Sequence, residues 1–329
     1  MKKSSFQRLS GTEALPERLR GAVIAVGNFD GVHRGHQAVL DRALELARAE
    51  GIPAMVLTFE PHPRSFFRPD EPVERLTDAV EKAEILRCMG FDAVVEQPFT
   101  AAFSAQSAEA FVQDMLVGKL HARRVVAGYD FHFGKGRRGT PEFLAEAGRQ
   151  AGFAVTLVDA FSDEGGDVVS STRIRTLLCE GDVAGAAALL GYRYMVRSVV
   201  EHGKKLGRTL GFPTANMRLN GPVRVKYGIY AVRFRRADGS LHDGVASFGR
   251  RPTVDNDGAP LLETFLFDFS GDLYGETASV SFFGFLRGEV KFDGLEPLVA
   301  QMKRDEAEAR ALLAGAQPLS TLDRLLSFE

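Results

Sequence analysis

Between residues 22 and 128 short apolar runs alternate with helical periods, and that alternation limits the fold more than any other feature. AVIAV (22–26), AMVLTF (54–59), DAVVEQ (92–97) and RRVVAG (123–128) are brief, apolar and bounded by turn residues, as strands buried on both faces are. Between them HQAVLDRALELARAEG sets Val39, Leu40, Ala43, Leu44 and Ala47 on one stripe and stops at Gly51. AVEKAEILRCMG repeats that design, and SAEAFVQDMLVGKL reads as a third helix. Strands joined by crossover helices pair in parallel, so the first half is expected to be a doubly wound α/β sheet.

From about Gly191 the texture changes. YMVRSVVEHG, GIYAVRF, HDGVASFG, LLETFLFDF and ASVSFFGFLR are strand-like and separated by glycine-rich turns, with a helical period returning only in FDGLEPLVAQMKRDEAEARALLAG. Closely spaced strands with one terminal helix predict a small antiparallel barrel or sandwich. The expected domains are 1–185 and 186–329, meeting in the short helix DVAGAAALLG (182–191). A net charge of −2 gives no general pull toward nucleic acid or anionic membrane, so an anionic ligand must be held by local donors or a metal ion. Cys88 and Cys179 are read as buried reduced thiols. The start has no apolar core of a secretory signal, and no run approaches the roughly 18 apolar residues of a membrane span, which points to the cytoplasm. The leucines of QPLSTLDRLLSFE (317–329) suggest a short packed or oligomer-forming helix.

GNFDGVHRGHQ (27–37) follows the first strand directly, where ligands of open parallel sheets bind. His33 and His36, at i and i+3, share a helical face, and Gly35 between them lets a ligand approach the backbone. A helix start suits an anion, and imidazole N–H groups, Arg34 or Mg²⁺ could each stabilise a departing pyrophosphate in attack on the α-phosphate of a nucleotide. Helix capping by the histidines, or metal ligation with Asp30, stays open. VVSSTRIRTLL (168–178) places Ser170, Ser171 and Thr172 before a helical run with Arg173 and Arg175 in its first turn, either a second phosphate cradle or a plain cap. Asp130 in GYDFHFGKGRRG (128–139) ends a strand, while the KGRR run reads as a solvated loop. In TFEPHPRSFF the prolines stiffen a loop, and Phe59, Phe66 and Phe67 could wall a planar ring.

GNFDGVHRGHQ, TFEPHP, GYDFHFGKGRRG and SSTRIR, in this order and spacing along the chain, resemble the adenylyltransferase half of bacterial FAD synthetases, with a Rossmann-like nucleotidyltransferase fold. The resemblance implies transfer of AMP from ATP to FMN, giving FAD and pyrophosphate. It places His33, His36 and Arg173 on the ATP phosphates. It places Gly27, Asn28, Phe29, Asp30, Gly35, Asp130, Ser170, Ser171 and Thr172 near nucleotide, flavin or metal.

The second half carries HGKKLGRTLGFPTANMRL (202–219), whose Gly203, Gly207 and Gly211 could form a flap over phosphates. Thr214 and Asn216 are two apart and face one way on a strand, offering neutral hard oxygens of the kind Mg²⁺ accepts, though a turn or surface reading is as open. Glu263 in LLETFLFDF shares a strand face with Leu261, Phe265, Phe267 and Phe269; desolvation there would raise its pKa and suit a base, unless an arginine pairs with it. GRTLGFPTAN, YGIYAV, GVASFGRRPT, ETFLFDFSGDLYGE and FLRGEVKFDGLEPLVAQMKRDEAEAR resemble the riboflavin kinase half of the same bifunctional family. That resemblance implies Mg²⁺ and ATP phosphate at Thr214 and Asn216, activation of the ribityl 5′-hydroxyl by Glu263, and flavin or loop contacts from Arg287 and Arg310. Ser247, Phe248, Thr264 and Phe265 depart from residues frequent in relatives, which bears on flavin affinity.

The reading is a two-site enzyme with ATP, riboflavin and FMN as partners, needing neither nucleic acid nor membrane, and acting as a monomer or weak homo-oligomer. One rival keeps only adenylylation, with the barrel as a flavin-binding module; intact FPTAN and Glu263 weigh against it. A class I aminoacyl-tRNA synthetase would share HRGH but needs a KMSKS-like loop, which the chain lacks.

Overall fold

A computed structural model describes residues 6–203, 211–219, 225–250 and 260–329. It divides into two compact units. One holds residues up to Val73 and Thr77–Ser170; the other holds Glu74–Leu76 and Ser171–Glu329.

The first unit is a parallel six-stranded sheet of order β1-β4-β3-β2-β5-β6. Its strands are β1 (Gln7–Ser10), β2 (Val23–Val26), β3 (Ala54–Glu60), β4 (Ala93–Pro98), β5 (Arg124–Gly128) and β6 (Ala154–Val158). β2, β3 and β4 run toward one edge and β5 returns to the other side of β2, so the strand order reverses between β2 and β5. α1 (Arg34–Glu50) follows β2 and buries the five predicted stripe residues; Gly51 closes it in the left-handed conformation. α2 (Pro63–Phe67) replaces the expected stiff loop, because Pro63 at the first helical position needs no N–H partner and His62 Nδ1 caps Arg64 N–H. α3 (Ala79–Met89) begins with a capping box between Asp78 and Glu81. After α4 (Ala101–Ser104), the third expected helix starts as α5 (Ala108–Ala110) and continues as a π-helix over Phe111–Lys119. α6 (Pro141–Ala151) precedes β6. The edge strands β1 and β6 went unread: QRLS carries a single apolar residue, AVTLV is interrupted by Thr156, and neither strand has a buried residue.

The second unit opens with α7 (Ser171–Glu180) and α8 (Val183–Leu190) and then closes an antiparallel barrel of order β10-β11-β8-β7-β12-β9. Its strands are β7 (Met195–Glu201), β8 (Thr214–Arg218), β9 (Gly228–Arg235), β10 (Leu241–Gly249), β11 (Leu261–Leu266) and β12 (Thr277–Arg287). α9 (Leu295–Ala314) lies on its wall through Ala309 and Leu313. The tail forms α10 (Thr321–Ser327), and it is packed. Asp323, fully buried, pairs with Arg193 and accepts from the N–H groups of Arg193 and Leu319. Arg235 donates to the carbonyls of Leu325, Leu326 and Glu329, satisfying groups a helix end leaves open. The thiols are free but not buried: Cys88 is half-buried and Cys179 exposed. Among the described residues no helix is long and apolar enough to cross a membrane.

Candidate active sites

The loop from Gly27 to His33 leaves β2 beside β5, at the reversal of strand order. Its backbone is strained. Phe29 (φ 48°) and Val32 (φ 39°) are left-handed without being glycine, at a cost of about 1–3 kcal/mol each. Burial of both side chains offsets a cost of that size. Phe29 folds back over Gly27, where a Cβ would fall 2.9 Å from its ring. Its edge meets His36 at 5.5 Å between centroids.

His33 caps α1: its Nδ1 accepts the His36 backbone N–H at 3.3 Å. An accepting Nδ1 puts the neutral ring's proton on Nε2, so His33 presents an Nε2–H. The two imidazoles stack with centroids 3.6 Å apart and planes 17° from parallel. Burial first, then His33 and the Lys82 ammonium, hold the His36 pKa well below the ordinary imidazole value, so His36 is neutral at physiological pH. Its buried Nδ1 and the buried Asn28 Oδ1 have no partner among the described residues. The capping reading is met by the His33 ring.

Gly35 has a nearer reason than ligand approach. A Cβ there would come within 3.2 Å of the His33 ring and 3.3 Å of the Val169 carbonyl. Asp30 is buried and accepts the Thr77 N–H at 3.4 Å, while Gly31 N–H donates to Thr77 Oγ1 at 3.1 Å. Among the described residues no group of three or more His, Cys, Asp or Glu side chains is arranged to hold a metal ion. Arg34 forms a two-pronged pair with Glu164, at 2.9 and 2.6 Å, and lies over the Phe161 ring. Asp130 is exposed at the end of β5, its carbonyl 2.8 Å from His132 Nδ1, and the KGRR run is solvated. Phe59, Phe66, Phe67, Phe99 and Phe103 form a mostly edge-to-face cluster, with Phe59 buried and Phe67 63% exposed. Ser170 closes the first unit, and Ser171, Thr172 and Arg173 form the first turn of α7 in the second. Arg175 Nε donates to the Glu74 carbonyl at 2.6 Å.

Lys82 escaped the sequence reading. It is a charged residue inside a helix stripe, 4% exposed, with Nζ 3.0 Å from the Asn28 carbonyl. The only sequence signal was a lysine at a position where AVEKAEILRCMG should be apolar.

In the barrel, register assembles the second site. Ser247 pairs with Glu263 across β10 and β11, and Glu263 with Asn216 across β11 and β8. Directly paired residues face one way, so the three form a row. The row lies outside the barrel: Leu262, Thr264 and Leu266 point in, while Leu261, Glu263 and Phe265 lie on the half-open side. Glu263 shares the expected face with Leu261 and Phe265, but that face is half-buried, so the expected desolvation is only partial. Thr214 lies two residues from Asn216 on the same face, and Asn216 Nδ2 donates to the Thr214 carbonyl at 3.1 Å. Gly203 lies against that amide; a Cβ would fall 2.5 Å from Nδ2 and 2.6 Å from Oδ1. Gly211 is left-handed (φ 87°) and exposed, and Gly207 lies outside the described residues. Phe212 packs on Phe265 at 5.0 Å, tying FPTAN to the strand of Glu263. Arg287 is held by Asp305 at 2.9 and 2.7 Å, and Arg310 by Asp268 and Glu306 over the Phe267 ring. Both arginines are thus built into ion pairs of the α9 wall.

The FAD synthetase family model matches residues 15–173 and the riboflavin kinase family model residues 190–313. The chain is 43% identical over 296 residues to a bifunctional riboflavin kinase/FMN adenylyltransferase of Listeria monocytogenes, spanning 89% of this chain and 92% of that protein. It is 40% identical over 298 residues to a protein of the same description from Escherichia coli K12, spanning 91% and 95%. A crystal structure described as a macrolide-efflux protein from Streptococcus pneumoniae is similar at a TM-score of 0.80 and 31% identity, covering 93% of this chain and 98% of that one.

Proposed function

The chain belongs to the bifunctional riboflavin kinase/FMN adenylyltransferase family, and from that premise we propose how its residues divide the two reactions. The enzyme phosphorylates riboflavin to FMN with ATP, then adenylates FMN with a second ATP to give FAD and pyrophosphate. The stacked histidine pair at the strand-order reversal, with His36 held neutral, carries the assignment of the adenylyl site. A phosphate oxygen of FMN attacks the α-phosphorus, and the bond to pyrophosphate breaks. His33 Nε2–H and His36 donate to the charge that gathers on the leaving group. Asn28, with its orphaned Oδ1, takes a donor of the nucleotide or flavin, and Asp130 lies near nucleotide, flavin or metal. The SSTRIR motif assigns Ser170, Ser171, Thr172 and Arg173 to the triphosphate, and the adenylyltransferase family span ends at residue 173.

Glu263 accepts the proton of the ribityl 5′-hydroxyl as that oxygen attacks the γ-phosphorus and ADP departs. Its place in one row with Asn216 supports this role, since acid–base group and phosphate ligands then share a wall. Thr214 and Asn216 fit Mg²⁺: a hydroxyl and an amide are neutral hard donors, in a cradle that a Cβ at residue 203 would fill. When bound, Mg²⁺ neutralises triphosphate charge. The boundary at 185/186 falls in the stretch neither family span covers. We place the enzyme in the cytoplasm as a monomer or weak homo-oligomer without nucleic-acid or membrane partners.

Chromatography of products from riboflavin, ATP and Mg²⁺ tests the division. His36→Ala should stop at FMN, with adenylylation down about 10²–10³-fold. Glu263→Ala should make FAD only when FMN is supplied. Normal FAD output from His36→Ala would remove the histidine loop from the chemistry, and normal FMN output from Glu263→Ala would turn the barrel into a binding module.

A further inference from the structure

Lys82 sits where a lysine is expensive. It is 4% exposed on α3, and Nζ reaches the Asn28 carbonyl at 3.0 Å, Thr58 Oγ1 at 3.1 Å and Glu60 Oε1 at 3.4 Å. Thr58 is fully buried, and its hydroxyl donates in turn to the same Asn28 carbonyl at 3.2 Å. Ammonium, hydroxyl and carbonyl thus close a triangle that ties α3 and β3 to the first residue of the histidine loop that bears a side chain. An apolar residue of similar length would fill the space without the cost of desolvating a charge. The triangle has one local product: it fixes the Asn28 peptide just before the chain turns left-handed at Phe29. Asn28 Oδ1, buried and unpartnered among the described residues, and the ring of Phe29 against His36 both depend on that peptide's orientation.

We propose that Lys82 is a positioning residue for adenylyl transfer, holding the Asn28 carbonyl and through it the placement of Asn28, His33 and His36. The inference rests on reading the histidine loop as the adenylyl site. A second effect follows from the same charge. His36 faces the stacked His33 ring, the Phe29 edge and the Lys82 ammonium; nearby, Asp30 accepts from Thr77, Arg34 is paired with Glu164, and Glu60 partly balances Lys82. The ammonium opposes a proton on His36 and helps keep the ring a neutral donor.

The test uses the full-length enzyme with FMN, ATP and Mg²⁺, and follows kcat and KM of adenylylation from pH 5 to 8. Lys82→Met should lower kcat at least about tenfold with the KM for FMN within about twofold, the pattern of an interaction expressed in the transition state. Its acid limb should move to higher pH, because the charge opposing protonation of His36 is gone. Lys82→Arg should keep the limb where it is in the unaltered enzyme even if kcat falls, and Thr58→Val should lower kcat less than Lys82→Met. FMN formation from riboflavin by the same preparations should stay unchanged and reports folding. An unchanged kcat and limb in Lys82→Met overturns the proposal, as does an equal loss of both activities. Should Lys82→Met fail to fold, a normal kcat in Thr58→Val together with a shifted limb in Lys82→Arg overturns it instead. If His36→Ala adenylates normally, the site reading itself has failed; if only Lys82→Met does, the site stands and the role of Lys82 falls.

Discussion

The two units build their sites by opposite means. In the parallel unit one loop of seven residues, Gly27–His33, together with the first turn of α1, supplies the proposed Asn28, His33, Gly35 and His36, and burial of Phe29 and Val32 keeps its left-handed turns in place. In the barrel no loop dominates: Asn216, Glu263 and Ser247 come from three strands and meet only because the strands pair in one register. The first site is a local motif paid for by backbone strain; the second is a property of the sheet. The difference teaches where each is fragile. The loop fails by changes inside the loop or beneath it, and the row fails by anything that shifts a strand or crowds one of its members.

Of three changes that leave the proposed reacting side chains in place or probe only folding, the largest expected effect falls on the row. Gly203→Ala drives a Cβ to 2.5 Å from the Asn216 amide, and neither atom is the free end of a long side chain. FMN formation should fall about 10–100-fold, as misplacement of a phosphate ligand by an ångström does, while FAD formation from supplied FMN stays normal. Steady-state rates of the two half-reactions check this; equal rates for Gly203→Ala and the unaltered enzyme would mean the amide is not positioned by that contact.

A smaller effect separates the loop. The folded-state pKa of His36 lies well below the ordinary value of 6.5. As pH falls through 6.5 the unfolded chain takes up a proton that the folded loop refuses, so stability present above 6.5 is lost on acidification, by up to about 1.4 kcal/mol per pH unit. Thermal unfolding followed from pH 7.5 to 5 should show a steeper loss than in His36→Gln. Identical slopes would mean the ring is not held neutral.

The smallest effect is a gain in the barrel. Thr264 is fully buried in the barrel interior, and its Oγ1 has no partner among the described residues. Thr264→Val keeps the shape and removes the orphaned hydroxyl, and should raise stability by about 1 kcal/mol. Denaturant titration measures it, and a loss of stability would show that the hydroxyl is satisfied after all.

The strand–helix alternation, the barrel and the His33–His36 pair were legible because each rests on spacing within a short window. The edge strands β1 and β6 were not, since QRLS holds one apolar residue and Thr156 interrupts AVTLV, at the half-exposed edges of the sheet. The setting of Glu263 was misread for a related reason. Alternation in LLETFLFDF shows which residues share a face, but not which of two partly apolar faces turns inward, and Leu262, Thr264 and Leu266 took the interior. Lys82 was invisible because its partners, Asn28, Thr58 and Glu60, lie on elements brought together only by parallel pairing of β2 with β3. Cys179 was taken as buried by residue type, whereas its helix turns that side to solvent. The Arg34–Glu164 pair was equally out of reach, joining positions 130 apart in the chain.

The register row has a consequence for how such a barrel can change over generations. Side chains on a strand alternate sides with every residue, so a single-residue deletion within Leu261–Leu266 would exchange inward and outward positions beyond it, sending a carboxylate or a phenylalanine to the wrong side of the wall. Point substitutions in β11 can be sampled one at a time. Its length cannot, and β8 and β10 are bound by the same constraint through their pairing with it.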